Sequence, residues 1–169
     1  MSRQVLMVVA PRGFADEEYL APRAAFDAAG FKVVVASTVV GPVRGAQGTW
    51  VVSERTIATV RAADFDAVVF IGGPGATALI ESRAARRLAL EAVERGKVLG
   101  AICMAPVVAA AAGVLRGVRA TCWPEARPAL AAGGAVVVEE PVVTSGRVVT
   151  ADGPSSAAAF GRAIVAAMR

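Results

Sequence analysis

Apolar and polar positions along this chain fall into blocks that alternate between the spacing of strands and the spacing of helices. Residues 5–10 are a continuous apolar run of strand length, and 17–29 follow with helical spacing, closed by Gly30 as a C-terminal stop. The β-branched run 32–36 predicts a second strand. Residues 38–53, rich in Gly and Val, read as an irregular excursion or a small hairpin, with breaks at Gly41-Pro42 and at 45–48. The pattern then predicts a strand over 67–71, a turn at Gly72-Gly73-Pro74-Gly75 and a charged helix over 77–95. A further apolar strand, 97–102, leads into an alanine-rich helix over 107–112. Short strands are expected at 135–138, 142–143 and 148–149, with a turn at Ser145-Gly146, and a terminal helix at 155–168.

Strands this apolar are buried on both faces, which predicts an α/β fold with a mainly parallel sheet and helices on either side. Right-handed crossovers put the loops that follow the strands at one edge, and ligands bind outside that edge. Three loops are thereby brought together: 11–18, 72–76 and the turn at Cys103.

Length fits one domain spanning residues 1–169, and no repeat, linker or low-complexity tail interrupts it. No stretch reaches the roughly 20 uninterrupted apolar residues of a membrane span. The first apolar run passes straight into Pro11-Arg12-Gly13, unlike a targeting peptide, so a cytoplasmic protein is expected. The net charge is +4, but the arginines are scattered among acids and form no stripe, which argues against nucleic acid as a partner. The one basic cluster, Arg83 with Arg86-Arg87, reads as a solvated helix face. Two cysteines and no histidine are too few for a disulfide framework or a Cys/His metal site, and no metal or cofactor is expected. Lysine occurs twice and asparagine is absent, a bias that growth at high temperature and a GC-rich genome produce equally.

Cys103 is the leading chemical candidate, placed by the pattern on a strand-to-helix turn. Unpaired N–H groups and the helix dipole at such a turn favour a thiolate, an effect that brings cysteine pKa values to about 3.5–7.5, and they can hold an oxyanion. Packing as a small buried hydrophobe is the other reading. Glu18 stands near the junction of the first loop and first helix, facing the same edge. Asp16, Glu17 and Glu18 are also what a helix N-terminus attracts without any chemistry. The Gly72–Gly75 turn offers backbone N–H groups to a substrate oxygen but lacks the ending of a phosphate-binding loop. Cys122 reads as a buried strand residue or a second thiol, and Asp152-Gly153-Pro154 as a pocket wall or as the cap of the last helix.

These segments together resemble the ThiJ/PfpI superfamily. Asp16 to Pro22 is similar to its acidic loop, in which a glutamate precedes a proline by four positions and so selects Glu18. Gly72 to Ala76 resembles the glycine loop and Ala101 to Pro106 the nucleophile elbow, while 117–121 and 149–154 fit two later signatures. The resemblance implies a flavodoxin-like three-layer sandwich, assembled as a homodimer or a higher assembly of dimers. It implies Cys103 and Glu18 as the catalytic pair, Gly72, Gly73, Gly75 and Met104 as the oxyanion and substrate-binding positions, and Trp123 and Asp152 as pocket residues. Two departures matter: Met104 and Trp123 occupy the positions where family members carry histidine.

Amide hydrolysis needs an acid for the leaving nitrogen, so peptidase activity is the weakest of the implied functions. The leading expectation is a cofactor-independent glyoxalase or deglycase acting on small carbonyl substrates or glycated adducts. Burial beside a thiolate would raise the pKa of Glu18 and let it shuttle protons. The alternatives are a redox sensor or chaperone-like protein in which Cys103 is oxidised, and an inactive descendant that keeps the fold.

Overall fold

The first strand sets the architecture, because its side chains are apolar on both faces. In the computed structural model, which describes residues 2–169, β1 (Gln4–Val8) sends Val5 and Met7 into one buried cluster and Leu6 and Val8 into another. Next come β2 (Arg12–Phe14), α1 (Asp16–Ala28), β3 (Lys32–Ser37), β4 (Gly41–Gly45), β5 (Trp50–Ser53), β6 (Arg55–Thr56) and β7 (Ala67–Phe70). The middle of the chain forms α2 (Thr77–Ile80), α3 (Arg83–Glu94), β8 (Val98–Ile102), α4 (Pro106–Ala111) and β9 (Arg119–Ala120). It closes with α5 (Arg127–Ala132), β10 (Val136–Val137), β11 (Val142–Ser145), β12 (Val148–Ala151) and α6 (Ala157–Ala167).

Seven strands form the central sheet in the order β11-β12-β8-β7-β1-β3-β6, all parallel except the edge strand β11, which is antiparallel. On one face Phe26 of α1 and Phe160 and Ile164 of α6 pack on Val5, Met7, Val69 and Val149. On the other, Leu88 and Ala92 of α3 and Val108 of α4 cover Leu6, Val8, Val68 and Leu99. This is a flavodoxin-like three-layer α/β sandwich. Its five principal strands β3-β1-β7-β8-β12 follow the doubly wound 2-1-3-4-5 order, whose direction reverses between β1 and β7. Loops leaving β1, β7 and β8 meet outside that switch point. No helix among the described residues is long and apolar enough to cross a membrane.

One segment departs from the expectation of the pattern, and in another the structure takes one of the two expected forms and extends it. The predicted helix over 77–95 is broken, because the Ser82 hydroxyl accepts from the Ala85 N–H at 3.2 Å and starts α3 afresh. The excursion at 38–53 is a β4–β5 hairpin, and β2 joins it to make a separate three-stranded sheet, β2-β4-β5. The Asp16 carboxylate ties the hairpin tip to the start of α1 by accepting from the Gln47 N–H at 2.8 Å and the Thr49 N–H at 2.9 Å.

Candidate functional site

Cys103 is where β8 stops and the chain turns towards α4. Its φ is +65°, the one positive value at a non-glycine residue among those described. That conformation costs about 1–2 kcal/mol, and both backbone groups of the residue are tied down against it. The Cys103 N–H donates to the Ala151 carbonyl and its own carbonyl accepts from the Trp123 N–H, each at 2.9 Å. Pro106 then opens α4 at a position where its missing N–H leaves no helical bond unmade.

Glu18, in the first turn of α1, has no solvent exposure. One carboxyl oxygen, Oε1, accepts from the Gly72 N–H at 3.0 Å, while Oε2 has no hydrogen-bond partner among the described residues. Burial pushes this carboxyl up to about 7, against the opposing pull of the neighbouring Cys103 thiol and the Gly72 N–H. The thiol is near enough to couple with Glu18 and lies outside formed hydrogen-bond geometry.

Cys103 itself departs from the expectation of a lowered pKa. Burial first, and then the charge of Glu18, push its thiol up to about 12, although the Gly73 and Met104 N–H groups favour the thiolate. The helix dipole loses this contest because α4 has only six residues and begins three positions beyond the sulfur. With Glu18 ionised, the resting thiol keeps its proton, and the two groups titrate as a coupled pair.

Gly72 is the wedge that lets the pair approach. A Cβ built there would stand 2.5 Å from the Ile102 carbonyl oxygen, 2.7 Å from Cys103 Cβ and 2.9 Å from Glu18 Oε1. We expect Gly72→Ala to destabilise the fold by about 1–3 kcal/mol through this overpacking. Thermal denaturation should register roughly 2–4 °C per kcal/mol for a chain of this size, and an unchanged melting temperature would contradict the contact.

The pair opens onto a cavity of about 400 Å³, within the usual range of small-molecule sites. Cys103, Glu18, Gly73, Met104 and Trp123 line it together with Ala15, Pro74, Thr77, Glu125 and Pro154. Three other sequence candidates stand apart from its walls. The Gly72 N–H is engaged by Glu18, and Gly75 packs on the carbonyl of Arg12. Asp152 accepts from the Ser156 hydroxyl at 2.6 Å in the turn before α6. Tyr19 is also off the wall, edge-on to Phe14 with its hydroxyl accepting from Arg23 at 2.9 Å. Cys122 is buried against the apolar cluster of Ala126 and Leu130, and burial pushes its thiol up to about 11. Among the described residues no three His, Cys, Asp or Glu side chains gather as a metal site. Pro154 stands on the wall, as one of the two readings of Asp152-Gly153-Pro154 expects, whereas Glu125 carries no sequence signal of its own and reaches the cavity only because the loop after β9 folds back beside the elbow.

A sequence model of the DJ-1/PfpI family matches residues 3–167. The chain belongs to this family. Among its DJ-1/PfpI relatives are a glutathione-independent glyoxalase of Caenorhabditis elegans and a deglycase of Pyrococcus horikoshii. The first is 33% identical over 80% of this chain and 73% of its own, and the second 30% identical over 90% and 92%. A crystal structure of a ThiJ/PfpI domain protein from Brachyspira murdochii superimposes with a TM-score of 0.95 at 33% identity, covering 99% of this chain and 96% of that one.

Proposed function

We propose that this DJ-1/PfpI protein is a cofactor-independent enzyme for reactive carbonyls, with a glyoxalase reaction on α-oxoaldehydes as its central chemistry. The observation that carries the reading is the buried Glu18 carboxyl, with one oxygen held by Gly72 and the other, beside the Cys103 thiol at the cavity wall, without a partner among the described residues. A carboxyl whose pKa is about 7 takes and returns protons at neutral pH with little driving force lost in either direction.

The sequence of steps follows from that pairing. The Cys103 sulfur adds to the aldehyde carbon while Glu18 takes the thiol proton, and the former carbonyl oxygen, held by the Gly73 and Met104 N–H groups, receives that proton from Glu18. The hemithioacetal then loses its C–H proton to the Glu18 carboxylate to give an enediolate, the same proton is returned to the adjacent carbon, and the hydroxyl proton passes from the first oxygen to the second. This leaves a thioester with a hydroxyl on the neighbouring carbon. Water, deprotonated by Glu18, cleaves the thioester to the 2-hydroxy acid, and Glu18 returns a proton to the departing sulfur. The net reaction adds one water and needs no other reagent. The names of the glyoxalase and deglycase relatives support the same substrate class.

The test is direct. Methylglyoxal incubated with the protein should yield lactate, followed by proton NMR, above the rate of a buffer blank; no lactate above the blank would refute the assignment. Assembly as a homodimer is part of the proposal and is checked by sedimentation. A cytoplasmic location is also part of it, in keeping with two buried, unbonded cysteines.

A further inference from the structure

Arginines that are scattered in sequence are brought together by the small sheet. Arg12 of β2 pairs with Arg44 of β4 in parallel register, and Arg44 pairs with Trp50 of β5 in antiparallel register. Residues paired this way project from the same face, so the three side chains form one row across three strands. All three line a single cavity of about 560 Å³, whose walls hold no acidic residue. The Arg44 guanidinium lies 5.5 Å from the centroid of the Trp50 ring, and Trp50 is 64% exposed. Among the described residues neither arginine has a carboxylate within ion-pair distance.

Like charges directly opposite each other on a sheet repel, and among the described residues no carboxylate pairs with either arginine to offset the repulsion. An anion between the two guanidiniums removes it and gains charge-assisted hydrogen bonds from both. A flat ring on the same molecule would continue the stack begun by Arg44 on Trp50. We propose that the Arg12–Arg44–Trp50 row binds a small anion that carries an aromatic ring, of the mononucleotide kind. Its phosphate bridges the two arginines and its base lies on Trp50. Two guanidiniums and one ring match a single nucleotide and not a strand, for which the surface would need a longer basic track. This cavity shares no wall residue with the one at Cys103, so the proposal stands independently of the carbonyl chemistry.

The test uses the full chain, titrated at low salt with AMP, inorganic phosphate or adenosine and followed by the indole N–H signals of its two tryptophans. Comparison with Trp50→Phe identifies the Trp50 signal. AMP should shift Trp50 and leave Trp123 in place, and it should bind at least about tenfold more tightly than phosphate or adenosine alone. Arg12→Gln and Arg44→Gln should each weaken AMP about tenfold while leaving the melting temperature and methylglyoxal turnover unchanged. An unshifted Trp50, or AMP binding that survives the double variant, would overturn the proposal. Equal affinity for phosphate and AMP would overturn the role of the ring and with it the ligand class. A shift confined to Trp123 would place AMP in the other cavity and overturn it as well.

Discussion

Cys103→Ser should abolish lactate formation from methylglyoxal, lowering kcat/KM by at least about 10³-fold. The substitution exchanges one polarizable sulfur for an oxygen and changes little else. Serine fits the space of the thiol, so the melting temperature should stay close to that of the parent, and the loss is then one of chemistry. The reason lies in the match between nucleophile and base. Glu18, with a pKa of about 7, faces a thiol pushed up to about 12 in the resting pair. That gap closes during attack, because protonating Glu18 removes the carboxylate charge that helps hold the thiol proton. A serine hydroxyl starts well above the thiol and gains less from the Gly73 and Met104 N–H groups, and no histidine exists in the chain to assist it. The elbow geometry is retained, since φ of +65° is imposed by the backbone bonds to Ala151 and Trp123. A serine variant within tenfold of the parent rate would remove Cys103 from the nucleophile's role.

The parts of this molecule that could be read from sequence are those governed by local pattern. Continuous apolar runs at 5–8, 67–70 and 98–102 required burial on both faces, and that requirement produced the parallel sheet and the edge at which its loops meet. What escaped the pattern depends on contacts between distant segments. The Gly72 N–H reaches Glu18 across 54 positions, which turns a residue expected to serve substrate into one that anchors the carboxyl. The lowered thiol pKa expected from a helix N-terminus failed for a similar reason, since the number of turns in α4 and the depth of burial are tertiary quantities. Asp152 illustrates a choice that pattern alone left open, and the Ser156 hydroxyl bond places it in the turn. The helix over 77–95 was split by a cap at Ser82 that only the hydrogen bond to Ala85 makes visible. The pairing of Arg12 with Arg44, 32 positions apart by number, is likewise a product of β2 joining the hairpin.

Glu18→Gln should separate the contribution of this carboxyl to activity from its contribution to stability, with opposite signs. Activity should fall by about 10²–10⁴-fold, the usual worth of a positioned acid–base group. The wild-type rate should rise with pH through about 7, where Glu18 becomes the carboxylate that accepts the first proton. Stability runs the other way. In the unfolded chain the group ionises near 4.5 and in the fold near 7, so between these values the native state binds the extra proton. The stability supplied by that proton is fully present below about 4.5, declines as pH rises and is lost above about 7. The total is on the order of 3 kcal/mol, from the 1.36 kcal/mol that accompanies each pH unit. A glutamine keeps an oxygen for the Gly72 N–H, carries no charge to bury and directs its amide at the sulfur, a weak acceptor. Above pH 7 the variant should therefore melt at a higher temperature than the parent, by up to roughly 5–10 °C, and the advantage should vanish near pH 4.5. Equal melting temperatures for the two proteins at every pH would mean that the native carboxyl is not forced to ionise in a buried place. The proton economy assigned to the Cys103–Glu18 pair would then fail at its first step.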